Sequence, residues 1–287
     1  MRKVTIITGP TCSGKTARSI EFAERFGAEI ISCDSVQVYR GADIGSAKVS
    51  LAERKRVRHH LIDVVEPDGY FNVSDYIERA KAAIDDIFSR GKKVAVVGGS
   101  GFYLKAWFGA VVDSIQIPPP VESFVEGIAA GGAQALAAEL LKADASASKF
   151  LDINNPRRTK NALKRVLASG LSVEELAERF RSMPSPFGEL EKDVIFLNPE
   201  DSDIRPKIEL RTDAMLAGGL VKEVESLLEK YAKLNPSLES AIGYRETIDF
   251  IRGKIATLGE LRAAICRDTR LLVKKQRSFF KSQLGLV

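Results

Sequence analysis

Histidine and cysteine are scarce in this 287-residue chain, with two of the first and three of the second. Cys12, Cys33 and Cys266 are far apart and show no metal-ligand spacing, which excludes a disulfide framework and fits a reducing, cytoplasmic compartment. His59 and His60 have no cysteine or further histidine near them, so no zinc site is expected and both are read as structural. No apolar run is long enough to span a bilayer. The opening MRKVTIITG passes straight into a strand pattern, without a signal-peptide core or cleavage site, so no membrane contact is expected. Internal repeats and low-complexity segments are also missing. Acid is scarce at one end: from Arg262 onward seven basic residues (Arg262, Arg267, Arg270, Lys274, Lys275, Arg277, Lys281) accompany a single acid, Asp268. That excess is larger than the net charge of +5 for the whole chain, so a positive tail follows a nearly neutral body. Such a tail points to an anionic partner held at one place.

What is present is an α/β pattern. VTIITG, AEIISCD, HHLIDVV, KKVAVVGG and DVIFLNP are short, β-branched runs bounded by turn residues, and they read as buried strands. Helical patterns lie between them, one from Lys15 to about Gly27 and another from about Val73 to Arg90, stopped at Gly91. Strands without internal polar alternation predict a parallel sheet covered by helices on both faces. The order breaks at Pro118, Pro119 and Pro120, and from there to SMPSPFGE only helical patterning is found. Residues 118–188 are therefore expected to form a helical insertion in a core made of 1–117 and 189–287.

GPTCSGKT, from Gly9 through Pro10, Thr11, Cys12, Ser13, Gly14 and Lys15 to Thr16, fits the phosphate-binding loop pattern in full. Glycines let main-chain N–H groups curl around phosphate oxygens, Lys15 adds a point charge, and Thr16 offers a hydroxyl to magnesium. The run follows a strand and opens a helix, as this chemistry requires. The gripped phosphate can be transferred, hydrolysed as a switch, or released as a leaving group. VAVVGGSG ends in glycines and Ser100 rather than the acid that a switch places after an apolar strand. Asp34 stands after the second strand, where it can hold metal, accept a proton or cap a turn.

Two surfaces are basic. On a helical wheel Arg267, Arg270, Lys274, Arg277 and Lys281 share a stripe, roughly opposite Leu261, Ile265, Leu272 and Phe279. No acid interleaves after Asp268. A second run, Arg157, Arg158, Lys160, Lys164 and Arg165, lies in the insertion. Together they suggest a clamp on an RNA backbone.

The ordered set GPTCSGKT, SCDSVQVYRGADIGSAK, HHLIDVVEP, VVGGSGFYLKA, DINNPRRTKNAL, AIGYRE and TRLLVKKQRSFFK resembles the tRNA dimethylallyltransferases, from the first strand to the last helix. The resemblance implies a P-loop NTPase-like fold. It also implies transfer of a dimethylallyl group from dimethylallyl diphosphate to the 6-amino group of the adenosine 3′ of the anticodon. In that case the gripped group is a diphosphate leaving group, with magnesium as cofactor. Asp34 then matches the general base, while Thr11, Lys15, Ser100 and Arg211 match residues near the diphosphate or the target base. Asp34, Ser35, Val36 and Gln37, together with Gly243, Tyr244 and Arg245, match segments touching the anticodon stem-loop. Arg157, Arg158, Lys160, Lys274, Lys275, Gln276, Arg277 and Lys281 match tRNA-binding positions. Tyr39 or Tyr244 can stack on a base or fill the core. Phe279 stands where the family often has tryptophan and is expected to pack. A monomer is expected. The rivals are a small-molecule P-loop kinase, a prenyltransferase of free AMP-type nucleotides, and a non-catalytic RNA-binding or switch protein. The first two leave the basic surfaces unexplained, and the third predicts RNA binding without chemistry.

Overall fold

The computed structural model describes residues 2–113 and 115–287. The five apolar runs become β1 (Lys3–Thr8), β2 (Ala28–Ser32), β3 (His59–His60), β4 (Lys93–Gly98) and β5 (Glu191–Phe196). They form one sheet in the order β3-β2-β4-β1-β5, with every pairing parallel. Ile6, Ile7, Ile30, Ile31, Val94, Ala95 and Val96 are buried, as inner strands covered on both faces require. The register sets Thr8 opposite Gly98 and Ser32 opposite Val97. The loops that follow β1, β2 and β4 therefore emerge side by side at one edge of the sheet, where open α/β sheets bind ligands.

Two strands depart from expectation. β3 is cut to two residues because Leu61 (φ 63°) and Asp63 (φ 56°) adopt left-handed backbone. The Asp63 carboxylate is drawn to Lys48 at 2.7 Å and Arg54 at 2.6 Å instead of continuing the ladder. β5 is not covered on both faces. It is an edge strand, and its Glu191 and Asp193 pair with Lys3 of β1. Charge on an exposed edge discourages pairing with another strand.

Helix α1 (Lys15–Phe26) ends at Gly27 (φ 64°). It is followed by α2 (Leu51–Arg56), α3 (Val73–Ser89) and α4 (Gly101–Phe108). Asn72 starts α3 with a capping box to Asp75, and Gly91 (φ 67°) lies just beyond its Arg90 cap. The chain divides into two compact units, Met1–Phe108 with Pro186–Val287, and Gly109–Ser185. The second unit thus begins and ends earlier than the 118–188 read from the sequence. Phe187 belongs to the first unit, where it stacks on Trp107 at 4.0 Å.

The second unit holds α5 (Pro119–Ala130), α6 (Gly132–Ala143), α7 (Pro156–Ser169) and α8 (Val173–Ser182). Val125, Leu136, Leu140, Leu163 and Val166 form its core. The three prolines open α5, since a first-turn residue needs no N–H partner. The first unit is completed by α9 (Asp201–Ala217), α10 (Leu220–Lys230), α11 (Pro236–Glu239), α12 (Tyr244–Ile251) and α13 (Leu258–Leu284). Cys266 and Val273 of α13 pack on Ile204 and Ile208 of α9. No helix among the described residues is long and apolar enough to cross a membrane.

Glu29 of β2 is the most heavily used carboxylate of the sheet. It takes the Arg90 guanidinium in a two-pronged contact and His60 Nε2 at 2.7 Å. Arg90, aided by His60, holds its carboxyl down at about 2. The folded value lies below the ordinary 4.5, so this contribution to stability is complete above that pH and lost as pH falls through about 2. Glu29→Gln should lower the thermal unfolding midpoint at pH 7 and converge with the wild type below pH 2. A pH series of melting curves that stays parallel throughout refutes this.

Candidate active site

The phosphate loop joins β1 to α1 in the conformation its glycines allow. Gly9 has φ 153°, and a Cβ there would lie 2.1 Å from the Leu197 carbonyl oxygen, so no side chain fits. Gly14 (φ 89°) precedes α1 without a side-chain cap, which leaves the first N–H groups of the helix open. The Ser13 hydroxyl is buried and has no hydrogen-bond partner. Lys15 donates to the carbonyls of Gly9 (2.9 Å) and Pro10 (2.7 Å). Burial, reinforced by the nearby Arg211 charge and opposed by Asp34, lowers the Lys15 ammonium from 10.5 to about 8. Open N–H groups, an unpartnered hydroxyl and a destabilised cation together describe a cradle built for an anion.

Asp34 follows β2 and is half-buried. Its Oδ1 accepts the N–H groups of Val36 (2.8 Å) and Gln37 (3.3 Å), so the carboxylate caps its own turn. The turn-cap and functional readings are therefore compatible, since one oxygen is enough for the cap. Ser100 follows β4, and its hydroxyl oxygen accepts the Ser35 N–H at 3.0 Å while donating to Ser35 Oγ at 3.3 Å. The family resemblance matched Ser100 to a residue near the diphosphate or the target base. In the fold it ties the β4 loop to the Asp34 loop.

These loops open into a cleft of about 1120 Å³. Thr11, Cys12, Ser13, Gly14, Lys15, Thr16, Asp34, Ser35, Val36, Gln37, Ser100 and Arg211 all line it. Arg211 reaches in from α9 and donates to Thr11 Oγ1 at 2.9 Å. Phe102, Met215, Ile265, Leu272 and Phe279 form apolar wall. Phe279 rests against Gly101, where a Cβ would come within 2.6 Å of its ring. Leu272 and Phe279 thus face the cleft, while Leu261 and Phe280 carry the buried contacts of α13. Phe102 was missed in the sequence reading; its position directly after the glycines of the β4 loop was the available signal. A smaller chamber of about 60 Å³ lies against Lys15, Thr16, Asp34, Gln37 and His59. His59 is therefore closer to the site than a structural histidine was expected to be, while His60 is occupied by Glu29.

Several expected RNA contacts are spent elsewhere. Tyr39 and Tyr244 are both fully buried, so neither is available to stack on a base. The Tyr244 hydroxyl donates to Glu223 Oε1 at 2.8 Å, and its ring lies against Gly45. Burial and the Glu223 carboxylate push the Tyr244 phenol far up. Gly243 (φ 95°) starts α12, and Arg245 lines the cleft while paired with Glu246 and with Asp268 at 2.6 Å. Asp268 of α13 itself takes Arg267, and α9 supplies further acids: Asp213 takes Arg262, Glu209 takes Arg270 and Asp201 takes Arg277. In the second unit Lys160 and Lys164 pair with Glu126, and Arg165 pairs with Asp113. Among the described residues, exposed Lys274, Lys275, Lys281, Arg157 and Arg158 have no such pairing. Arg157 and Arg158 sit in the first turn of α7, where the helix dipole disfavours a cation unless an anion accompanies it.

Glu223 of α10 does work that its sequence context does not signal. Its carboxylate accepts three consecutive main-chain N–H groups, those of Asp43 (2.9 Å), Ile44 (2.7 Å) and Gly45 (3.1 Å). It thereby fixes the loop whose Gly45, Ser46 and Ala47 line the cleft.

Among the described residues no group of three or more His, Cys, Asp or Glu side chains could hold a metal ion. Magnesium needs less, since it commonly takes one or two protein oxygens and completes its shell with water and substrate phosphates. Thr16 and Asp34 border the same cleft, so the site fits such an ion.

A family model described as IPP transferase matches residues 37–283. A tRNA dimethylallyltransferase of Opitutus terrae is 42% identical over 282 residues, covering 98% of this chain and 91% of its own length. One from a Roseiflexus species is 40% identical over 281 residues, covering 96% and 88%. Among solved structures, the full-length tRNA isopentenylpyrophosphate transferase of Bacillus halodurans has a TM-score of 0.70 at 32% identity, covering 100% of this chain and 89% of that one. A eukaryotic dimethylallyltransferase acting on tRNA has a TM-score of 0.85 at 26% identity, covering 99% and 71%.

Proposed function

The chain belongs to the IPP transferase family of prenyl-transferring enzymes, and on that footing we propose that it moves a dimethylallyl group from dimethylallyl diphosphate to the 6-amino group of the adenosine 3′ of the anticodon in tRNA. The observation that carries this reading is one cleft bordered by both an anion cradle and a carboxylate, the phosphate loop and Asp34. The allylic C–O bond breaks, and its electron pair leaves with the diphosphate. A C–N bond forms, and Asp34 takes the proton from the amine. An aromatic amine is a weak nucleophile, so it needs that base beside it.

The phosphate loop N–H groups, Lys15 and Arg211 neutralise the charge that develops on the leaving group. Magnesium, held by Thr16, would add to that neutralisation. The apolar wall of Phe102, Leu272 and Phe279 suits a prenyl tail and keeps water from the reactive carbon. The target base must leave its stacked loop to reach Asp34. The working unit is a monomer in this reading, in keeping with the charged edge of β5.

The test is mass spectrometry of tRNA nucleosides after incubation with dimethylallyl diphosphate and magnesium. It should show one adenosine carrying the added C5 unit. Prenylation of free AMP without tRNA, or phosphate transfer from ATP to a small acceptor, would overturn the reading.

The unpaired lysines of α13 make a narrower prediction than the whole stripe. Exchanging Lys274 and Lys275 for glutamate should weaken tRNA binding and reduce the salt slope by about one per lysine. Arg270→Ala, which removes a guanidinium already paired with Glu209, should change the slope less. Equal slopes across all these variants rule out an RNA surface on this helix.

A further inference from the structure

We propose that Gln276 is a positioning residue that sets the spacing between the diphosphate loop and the loop carrying Asp34. The inference rests on the roles given above to those two loops. Gln276 lies on α13, where its Oε1 accepts the N–H of Thr11 at 2.8 Å and its Nε2 donates to the Gly99 carbonyl at 2.9 Å. Partners of opposite polarity fix the orientation of the amide, because a flip would set donor against donor and acceptor against acceptor. An ionised carboxylate only accepts and an ammonium only donates, so neither serves both partners.

Gly99 permits this approach. A Cβ there would lie 2.9 Å from Gln276 Nε2 and 3.1 Å from the Gly9 carbonyl oxygen. The next residue, Ser100, accepts the N–H of Ser35, the neighbour of Asp34. A path of hydrogen bonds thus runs from the diphosphate loop through Gln276 to the β4 loop, and on through Ser100 to the Asp34 loop. Arg211 holds the side chain of Thr11 while Gln276 holds its main chain. The family resemblance put Gln276 among the RNA contacts with Lys274 and Lys275. Those lysines are exposed, whereas the amide is engaged by two main-chain groups of the loops. α13 therefore carries unpaired lysines, among them Lys275 at the cleft, next to an amide that spans two loops.

The test compares the wild type with Gln276→Met, which keeps the length and removes both bonds, and with Gly99→Ala, which pushes the amide away from the other side. Calorimetry with inorganic pyrophosphate, steady-state kinetics with dimethylallyl diphosphate and tRNA, direct tRNA binding and thermal unfolding are measured for each. In Gln276→Met the pyrophosphate Kd and donor KM should rise about tenfold and kcat should fall about tenfold, as the loss of one or two hydrogen bonds predicts. The tRNA Kd should stay within about twofold. The double variant should be little worse than either single one, because both break the same link. A weakened tRNA Kd with unchanged pyrophosphate binding overturns the proposal in favour of an RNA contact. Unchanged kinetics, or fully additive effects, overturn it as well. If the wild type binds pyrophosphate yet prenylates no RNA, the functional reading fails separately. The weaker pyrophosphate binding of Gln276→Met would still support the anchoring of the loop.

Discussion

Asp34→Asn should abolish most prenyl transfer while tRNA binding and thermal stability stay near wild type. The expected loss is about 10²–10⁴-fold in kcat, the usual contribution of a positioned base. Asparagine is the informative replacement because of what Asp34 already does. Its Oδ1 receives the N–H groups of Val36 and Gln37. An amide oxygen can accept both, so the turn survives, but an amide cannot take a proton at neutral pH. Alanine would remove the cap along with the base and confuse loss of chemistry with loss of loop shape. Single-turnover prenylation and filter binding on the same preparation separate the two. Retention of normal transfer by the asparagine variant would take Asp34 out of the mechanism.

Lys15→Met should show the opposite pairing, a more stable protein with almost no activity. The Lys15 ammonium is enclosed by loop carbonyls, and burial lowers it to about 8. The folded value lies below the ordinary 10.5, so the unfolded chain binds the proton more tightly. Below pH 8 the cation therefore costs stability, in the range of about 2 kcal/mol once the stranded carbonyls of the variant are counted. The advantage of methionine should be full below about pH 8 and fade as pH rises towards 10.5. Transfer should fall by about 10²–10³-fold, as expected when one donor to a departing oxyanion is lost. Donor binding by the wild type should weaken above pH 8 for the same reason, since a neutral amine does not attract diphosphate. Melting curves from pH 6 to 10 check the stability claim. A methionine variant less stable than the wild type at pH 7 contradicts it.

The parts of the site that local chemistry dictates were legible in the sequence. The phosphate loop needs its glycines at fixed offsets, and Asp34 follows a strand whose apolar run is plain. Parallel pairing of β1, β4 and β2 then brings Thr11, Ser100 and Asp34 to one edge, as alternating strands and helices imply. Contacts between distant segments were not legible. Nothing near Glu223 marks it as the acceptor for three N–H groups of a loop far away in sequence, and nothing near Gln276 marks its bond to Thr11. How much of the basic surface of α13 is already paired was not legible for the same reason. A helical wheel sees only the acids of its own helix, whereas Asp201, Glu209 and Asp213 arrive from α9. Tyr244 lies in a segment matched to RNA contact, yet its ring supports the Gly45 loop from beneath.

The carboxylate of Glu223 makes the cleft asymmetric towards anions. The N–H groups of residues 43–45, whose last member lines the cleft, are already engaged by this resident carboxylate, whereas those that open α1 carry no side-chain cap. Under the proposed reaction, a diphosphate entering from solvent would therefore be drawn to the phosphate loop and not to the 43–45 turn, before any contact with the prenyl tail is made.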